Sequence, residues 1–437
     1  MSGSNESKGL SRWIGPPLRL FFVAGLSLVL LHPRGASAFD LGETGALLGM
    51  QPSGKILRPY AEIPEAFAPT SVALSPNGIY VADVGMYDPI VHVWDIRTKT
   101  LVRTLQGGGP NADRHAIAWS PDGRYLAVCD GPNPRATFVT IWNAETWDTV
   151  AQLKPGRKWT GSCISPTFNA DSKLFAYGDA EGDAFIYSTK SWTQAHATRY
   201  GYAQVKNELI KRHVIPTTLI GEQIAFVPHR HELAIGVNGL FSDDGDNTRA
   251  KIKVQDFVST NRVIIWSWDQ PPPDIEGKVV DPRKVLLIYG KLPLLPPNPD
   301  YPGAPRSHAD PVLDAIGFAP DGKTFATGTE SGDVKIWGLD PLEQIAFPIH
   351  GTIPMRLGEI RCLQFTADGR YLLASQEGSG YPNVLGRIAV IDAKTGRLLE
   401  SLPVSNYGGM AYSGKASLVA MGSHSLSGFR ILIWNLH

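Results

Sequence analysis

Cysteine is nearly missing from this chain. Its 437 residues hold only Cys129, Cys163 and Cys362, with no CxxC pair and no CxxCH. That excludes a zinc ribbon, a thioredoxin-like redox pair, c-type haem attachment and a disulfide-dense framework. Each cysteine falls in or beside an expected strand, where a small buried hydrophobe is its ordinary role, although one bridged pair stays open. Charge of one sign is not in excess either, since Lys+Arg and Asp+Glu both number 41. A uniformly basic surface is thereby excluded, and nucleic acid is not an expected partner. No GxSxG elbow, HExxH helix, P-loop or dinucleotide fingerprint is written anywhere. No cofactor, metal or catalytic residue is therefore expected, although acid and base groups drawn from distant segments would leave no linear trace.

Long apolar runs are scarce as well. The clearest is "LFFVAGLSLVLL" (20–31), preceded by Lys8, Arg12 and Arg19 and followed by "HPRGASAFD". Twelve residues are too short for a bilayer-spanning helix but suit the core of a secretory signal, with Ala36-Ser37-Ala38 as its cleavage site. Residues 1–38 are expected to be removed before Phe39, leaving an exported, periplasmic or extracellular protein without stable membrane insertion. The alternative is an uncut anchor.

What the chain does contain is repetition. "ALSPNGIYVAD" at Ala73 returns as "AWSPDGRYLAV" at Ala118, "GFAPDGKTFAT" at Gly317 and "QFTADGRYLLA" at Gln364. Each phrase is a strand, a Pro/Asp/Gly turn and a second strand. Two further strands follow, giving a unit of roughly 45 residues of the kind found in repeat architectures. Seven units are expected, at about 65–107, 115–155, 161–200, 221–268, 312–351, 358–404 and 406–437. The last stops after its third strand, whereas 55–64 reads as a lone fourth strand. Joining the two ends closes a ring and pairs both open edges. The expected fold is all-β, a single seven-bladed propeller over 55–437 whose last blade is closed by the N-terminal strand, with 39–54 as a linker.

The SPDG-like turns and the strand-three pairs Trp94-Asp95, Trp142-Asn143 and Trp434-Asn435 resemble the WD-repeat β-propeller family over most of the chain. Trp337-Gly338 and Ile391-Asp392 are weaker versions. The family joins a Gly-His pair, an Asp, a Ser/Thr and the Trp in a buried hydrogen-bond set. Here only the fifth unit approaches it, with Ser307-His308, Thr327 and Trp337, and the Asp position reads Ser331. The resemblance thus implies a divergent, bacterial-type propeller. Trp94, Trp142, Trp337 and Trp434 are expected to pack between blades.

Blade topology puts the first-to-second and third-to-fourth turns on one face and the remaining connections on the other. Insertions at 201–219, 239–250 and 269–311 are expected to gather on that second face, where a rigid ring leaves loops free to carry function. Val205, Leu209 and Ile210 suggest a short helix in the first of these. In the fourth unit "IKVQDF" and "RVIIW" read as strands three and four; the alternative makes "VIIWSWD" strand three and "KVLLIYGKL" strand four. Candidate partner-binding residues are the loop aromatics Tyr87, Trp159, Phe241 and Tyr381, the pair Arg114-His115 near the channel, and Asp243 and Asp244. The last two read as a solvated turn sooner than a calcium loop, because the EF-hand spacing is not met. His229 and His231 fall in a surface turn on the short-turn face. The leading expectation is a non-catalytic, exported scaffold binding a protein or another extracytoplasmic polymer through the long-loop face and channel. The alternative is a secreted hydrolase or lyase acting on carbohydrate at the channel mouth.

Overall fold

The computed structural model describes residues 58–85, 90–107, 116–130, 138–154, 163–179, 183–198, 215–242, 257–259, 262–269, 284–287, 313–329, 332–349, 359–377, 386–404, 409–425 and 428–436, with the backbone alone at 198, 215–222, 237–242, 257–259, 262, 284–287, 347–348 and 425. These residues form seven antiparallel sheets, six of them running in sequence order from the channel outward and the seventh completed by the N-terminal strand. Blade 1 comprises Pro69–Leu74, Tyr80–Gly85, Ile90–Asp95 and Thr100–Gln106. Blade 7 comprises Met410–Ser413, Leu418–Ser425 and Gly428–Asn435, and its fourth strand is the N-terminal Ala61–Glu65. The closing register runs from Ala61 opposite Ile433 to Glu65 opposite Phe429. Closure turns two apolar edges into one ladder, so neither is left as a template for aggregation.

The repeated phrase has a direct physical cause. In blade 1 the Ser75 hydroxyl donates to Asn77 Oδ1 at 2.7 Å and accepts the Tyr80 N–H at 2.8 Å, while Asn77 Oδ1 takes the Ile79 N–H. Ser120 and Asp122 repeat these bonds in blade 2, and Thr366 and Asp368 in blade 6. An acceptor side chain two residues into a turn satisfies backbone donors that the sheet cannot reach. Glycine follows because the next residue is left-handed: φ is +82° at Gly123 and +63° at Gly322. At Gly322 a Cβ would also lie 2.2 Å from the Pro228 carbonyl of the preceding blade. These turns knit the blades together, as when the Asp122 N–H donates to Ser172 Oγ at 3.0 Å and Ser413 Oγ to the Pro76 carbonyl.

Packing lies between neighbouring sheets. Val91 and Val93 of blade 1 meet Leu126, Val139 and Ile141 of blade 2 in one cluster, and Ile63, Ile431 and Ile433 meet Val72 and Val81 across the closing seam. The outermost strands leave Leu101, Val150 and Ile345 exposed, as expected where only one side has a partner.

Blade 4 departs from the first reading of the sequence. Its strands are Ile215–Phe226, Glu232–Ser242, Arg262–Ser267 and Lys284–Leu287, with the short Phe257–Ser259 paired to Leu240–Ser242. "VIIW" is thus strand three and not strand four. A central strand is covered on both faces and wants an unbroken apolar run, which Val263–Trp266 supplies at no more than 2% exposure. "IKVQDF" alternates in polarity and cannot fill that place. Strand Ile215–Phe226 also begins inside the expected 201–219 insertion, and Lys284–Leu287 divides the expected 269–311 insertion in two. The strand ends Ser267 and Lys284 therefore lie on the short-turn face, whereas Leu287 and Leu313 lie on the other.

A disulfide links Cys129, near the end of Tyr125–Asp130 in blade 2, to Cys163, the first residue of Cys163–Phe168 in blade 3. Both residues are buried, so strand packing and the bridge coexist. Cys362 stays a buried free thiol.

Candidate functional site

The first strand of every blade lines one central channel of about 280 Å³. Its wall is built of apolar side chains with amide and hydroxyl groups from Ser71, Ser165, Thr167, Gln223, Gln364 and Tyr412. Among the described lining residues there is no Asp, Glu, His, Lys or Arg.

Charge instead collects where the blades reach the long-connection face. Between blades 5 and 6, Arg361 is 8% exposed and is held by three carboxylates. Its Nη1 donates to Asp314 Oδ2 at 2.7 Å, its Nε to Glu377, and its Nη2 to Glu359. Nearby, Arg387 Nε donates to Gln376 Oε1 at 2.8 Å, and burial lowers its guanidinium from the usual value. The Arg361–Asp314 bond ties blade 6 to blade 5, whereas Arg387 and Gln376 pair within blade 6.

A second cluster sits at the closing seam. Glu65 ends the N-terminal strand, while Asp83 and His92 lie opposite each other on the two central strands of blade 1. His92 Nδ1 is 3.7 Å from Asp83 Oδ2 and 3.9 Å from Glu65 Oε1. Both carboxylate side chains are 3% exposed and the imidazole 14%. Burial, then the adjacent Asp83 charge, pushes the Glu65 carboxyl up to about 8, with His92 pulling the other way. This cluster has no linear signature. Its members are 18 and 9 residues apart and meet only because the ring closes.

Position four of the second strand explains how the strand-three tryptophans are held. Trp337 Nε1 donates to Thr327 Oγ1 at 2.8 Å, and in blade 1 Asp83 takes the place of the hydroxyl, accepting Trp94 Nε1 at 3.0 Å. Val128 and Met421 stand there in blades 2 and 7, and Trp434 Nε1 is buried without a partner among the described residues. Trp142, Trp337 and Trp434 are buried as expected, and Trp94 is half-buried.

Of the residues singled out in the sequence, Tyr87, Arg114, His115, Trp159, Asp243, Asp244 and Tyr381 lie outside the described residues, as do Val205, Leu209 and Ile210 and the Ser307-His308 and Ser331 positions. Phe241 falls in the backbone of Glu232–Ser242, near its outer end. His229 and His231 do occupy a surface turn: His231 is exposed, bonds Asp269 at 2.9 Å and stacks on Trp268. Among the described residues no helix is long and apolar enough to cross a membrane.

Residues 304–338 match the family model "WD domain, G-beta repeat". The match spans the first three strands of blade 5, the blade with the Thr327–Trp337 bond. Seven blades closed by the N-terminal strand, one of them matching the family's repeat, support a WD-repeat β-propeller.

Proposed function

We propose that this propeller is an exported scaffold that binds a protein partner through its long-connection face and the adjoining channel mouth. A WD-repeat propeller by itself suggests protein interaction; the face is the further step. The observation that carries it is the asymmetry of the ring. On one side the first-to-second turns are five residues or fewer and are tied to each other by hydrogen bonds. On the other, connections such as 243–256 and 288–312 are anchored at both ends by rigid strands. Tyr87, Arg114, His115, Trp159, Asp243, Asp244 and Tyr381 all belong to connections anchored on this second face. A channel wall of amide, hydroxyl and apolar groups suits a docking segment better than the acid–base chemistry of a hydrolase or lyase.

The Cys129–Cys163 bridge supports export, because disulfides persist in oxidising compartments. Mass spectrometry of the exported protein should give a chain beginning at Phe39, and an intact Met1 end would refute cleavage. Partner capture from the extracytoplasmic fraction tests the face. Deleting 243–256 or 288–312 should abolish capture, while deleting 270–283, anchored on the opposite face, should not. Capture that survives both deletions, or fails only with the third, overturns the reading.

A further inference from the structure

We propose that Glu65, Asp83 and His92 bind one divalent transition-metal cation of the Zn²⁺ type at the seam where the ring closes. The three ligand atoms lie within 4.8 Å of one another. Two ligands of a tetrahedral zinc ion stand about 3.4 Å apart, given metal–ligand bonds near 2.1 Å. The two imidazole–carboxylate distances, 3.7 and 3.9 Å, need a few tenths of an ångström of contraction, and the carboxylate pair, within 4.8 Å, must close to the same spacing on binding.

The hydrogen bonds divide the carboxylate oxygens into two sets. Asp83 Oδ1 is taken by Trp94 Nε1, which leaves Oδ2 turned to the imidazole. Glu65 Oε2 takes the Ala66 N–H at 3.2 Å. Its Oε1 is buried, lacks a hydrogen-bond partner and faces His92. A buried oxygen without a partner is costly; a proton fills that role in the metal-free chain, and a bound cation takes its place. The partly exposed His92 edge leaves a route in and a fourth position for water. One imidazole and two carboxylates suit zinc or a similar ion better than calcium, which takes 6–8 oxygens. Glu65 comes from the strand that completes blade 7 and the other two from blade 1, so the ion would favour the closed ring.

The experiment uses the untagged full chain stripped with chelator, with Zn²⁺ as the probe. Calorimetry and elemental analysis should give one ion per chain, and Zn²⁺ should raise the melting temperature. Glu65→Gln and His92→Ala should each lose that 1:1 binding. Trp94→Phe keeps all three ligands but frees the Asp83 carboxylate, and should weaken binding roughly 10–100-fold. Co²⁺ on the unmutated chain should give the visible spectrum of a four-coordinate N/O site, a readout that survives any folding defect in the variants. Absence of stoichiometric Zn²⁺, undiminished binding in both ligand variants, a six-coordinate Co²⁺ spectrum, or preference for Ca²⁺ or Mg²⁺ overturns the proposal.

Discussion

Replacing Cys129 and Cys163 together by alanine should destabilise the ring by a calculable amount. The bridge joins residues 34 apart and encloses the outer half of blade 2 and the connection into blade 3. In the chain-entropy model a closed loop of that length removes about 12.6 cal/mol/K from the unfolded ensemble, or about 3.8 kcal/mol at 25 °C. Two alanines in these buried sites also leave small cavities, which add to the loss. Reducing the native protein isolates the first contribution, because the sulfur atoms stay in place. Denaturant midpoints of native, reduced and double-alanine protein, followed by tryptophan fluorescence, measure both. Thiol labelling of the unreduced, denatured chain should find one thiol, Cys362, and three after reduction. Three thiols before reduction, or coincident midpoints for all forms, would refute the reasoning.

Three further outcomes are expected. Ile63→Ala removes a fully buried side chain from the seam and should cost about 2–5 kcal/mol, while Ile63→Asp should drive aggregation detectable by light scattering, since the Gly428–Asn435 edge would open; a monodisperse, equally stable Asp variant would count against closure by this strand. Arg361→Ala removes the guanidinium that three largely buried carboxylates share and should cost about 3–5 kcal/mol near neutral pH, less at a pH low enough to protonate them; equal losses at both pH values would show that charge is not the cause. Burial pushes the Cys362 thiol up to about 12, so the folded chain holds a proton that an ordinary thiol near 9 releases. Stability from this group is therefore intact below pH 9 and lost as pH rises towards 12; Cys362→Ala should flatten that fall, and native protein should resist thiol reagents at pH 8.

The amino-acid sequence by itself determined the ring. The Ser/Thr-x-Asp/Asn-Gly turns carry their own hydrogen-bond logic within six residues, and the missing fourth strand of the last unit matches the spare strand at 61–65. Both signals are local or periodic, so they survive in one dimension. Blade 4 was decided by tertiary structure, because two segments competed for one central place and only burial on both faces chose Val263–Trp266. The cysteine pairing was settled in the same way: the end of one blade's second strand lies beside the start of the next blade's first, an adjacency that no spacing expresses. The Glu65, Asp83 and His92 cluster depended most on folding. Its members sit on an outer strand and two central strands, and they converge only once the circle is shut.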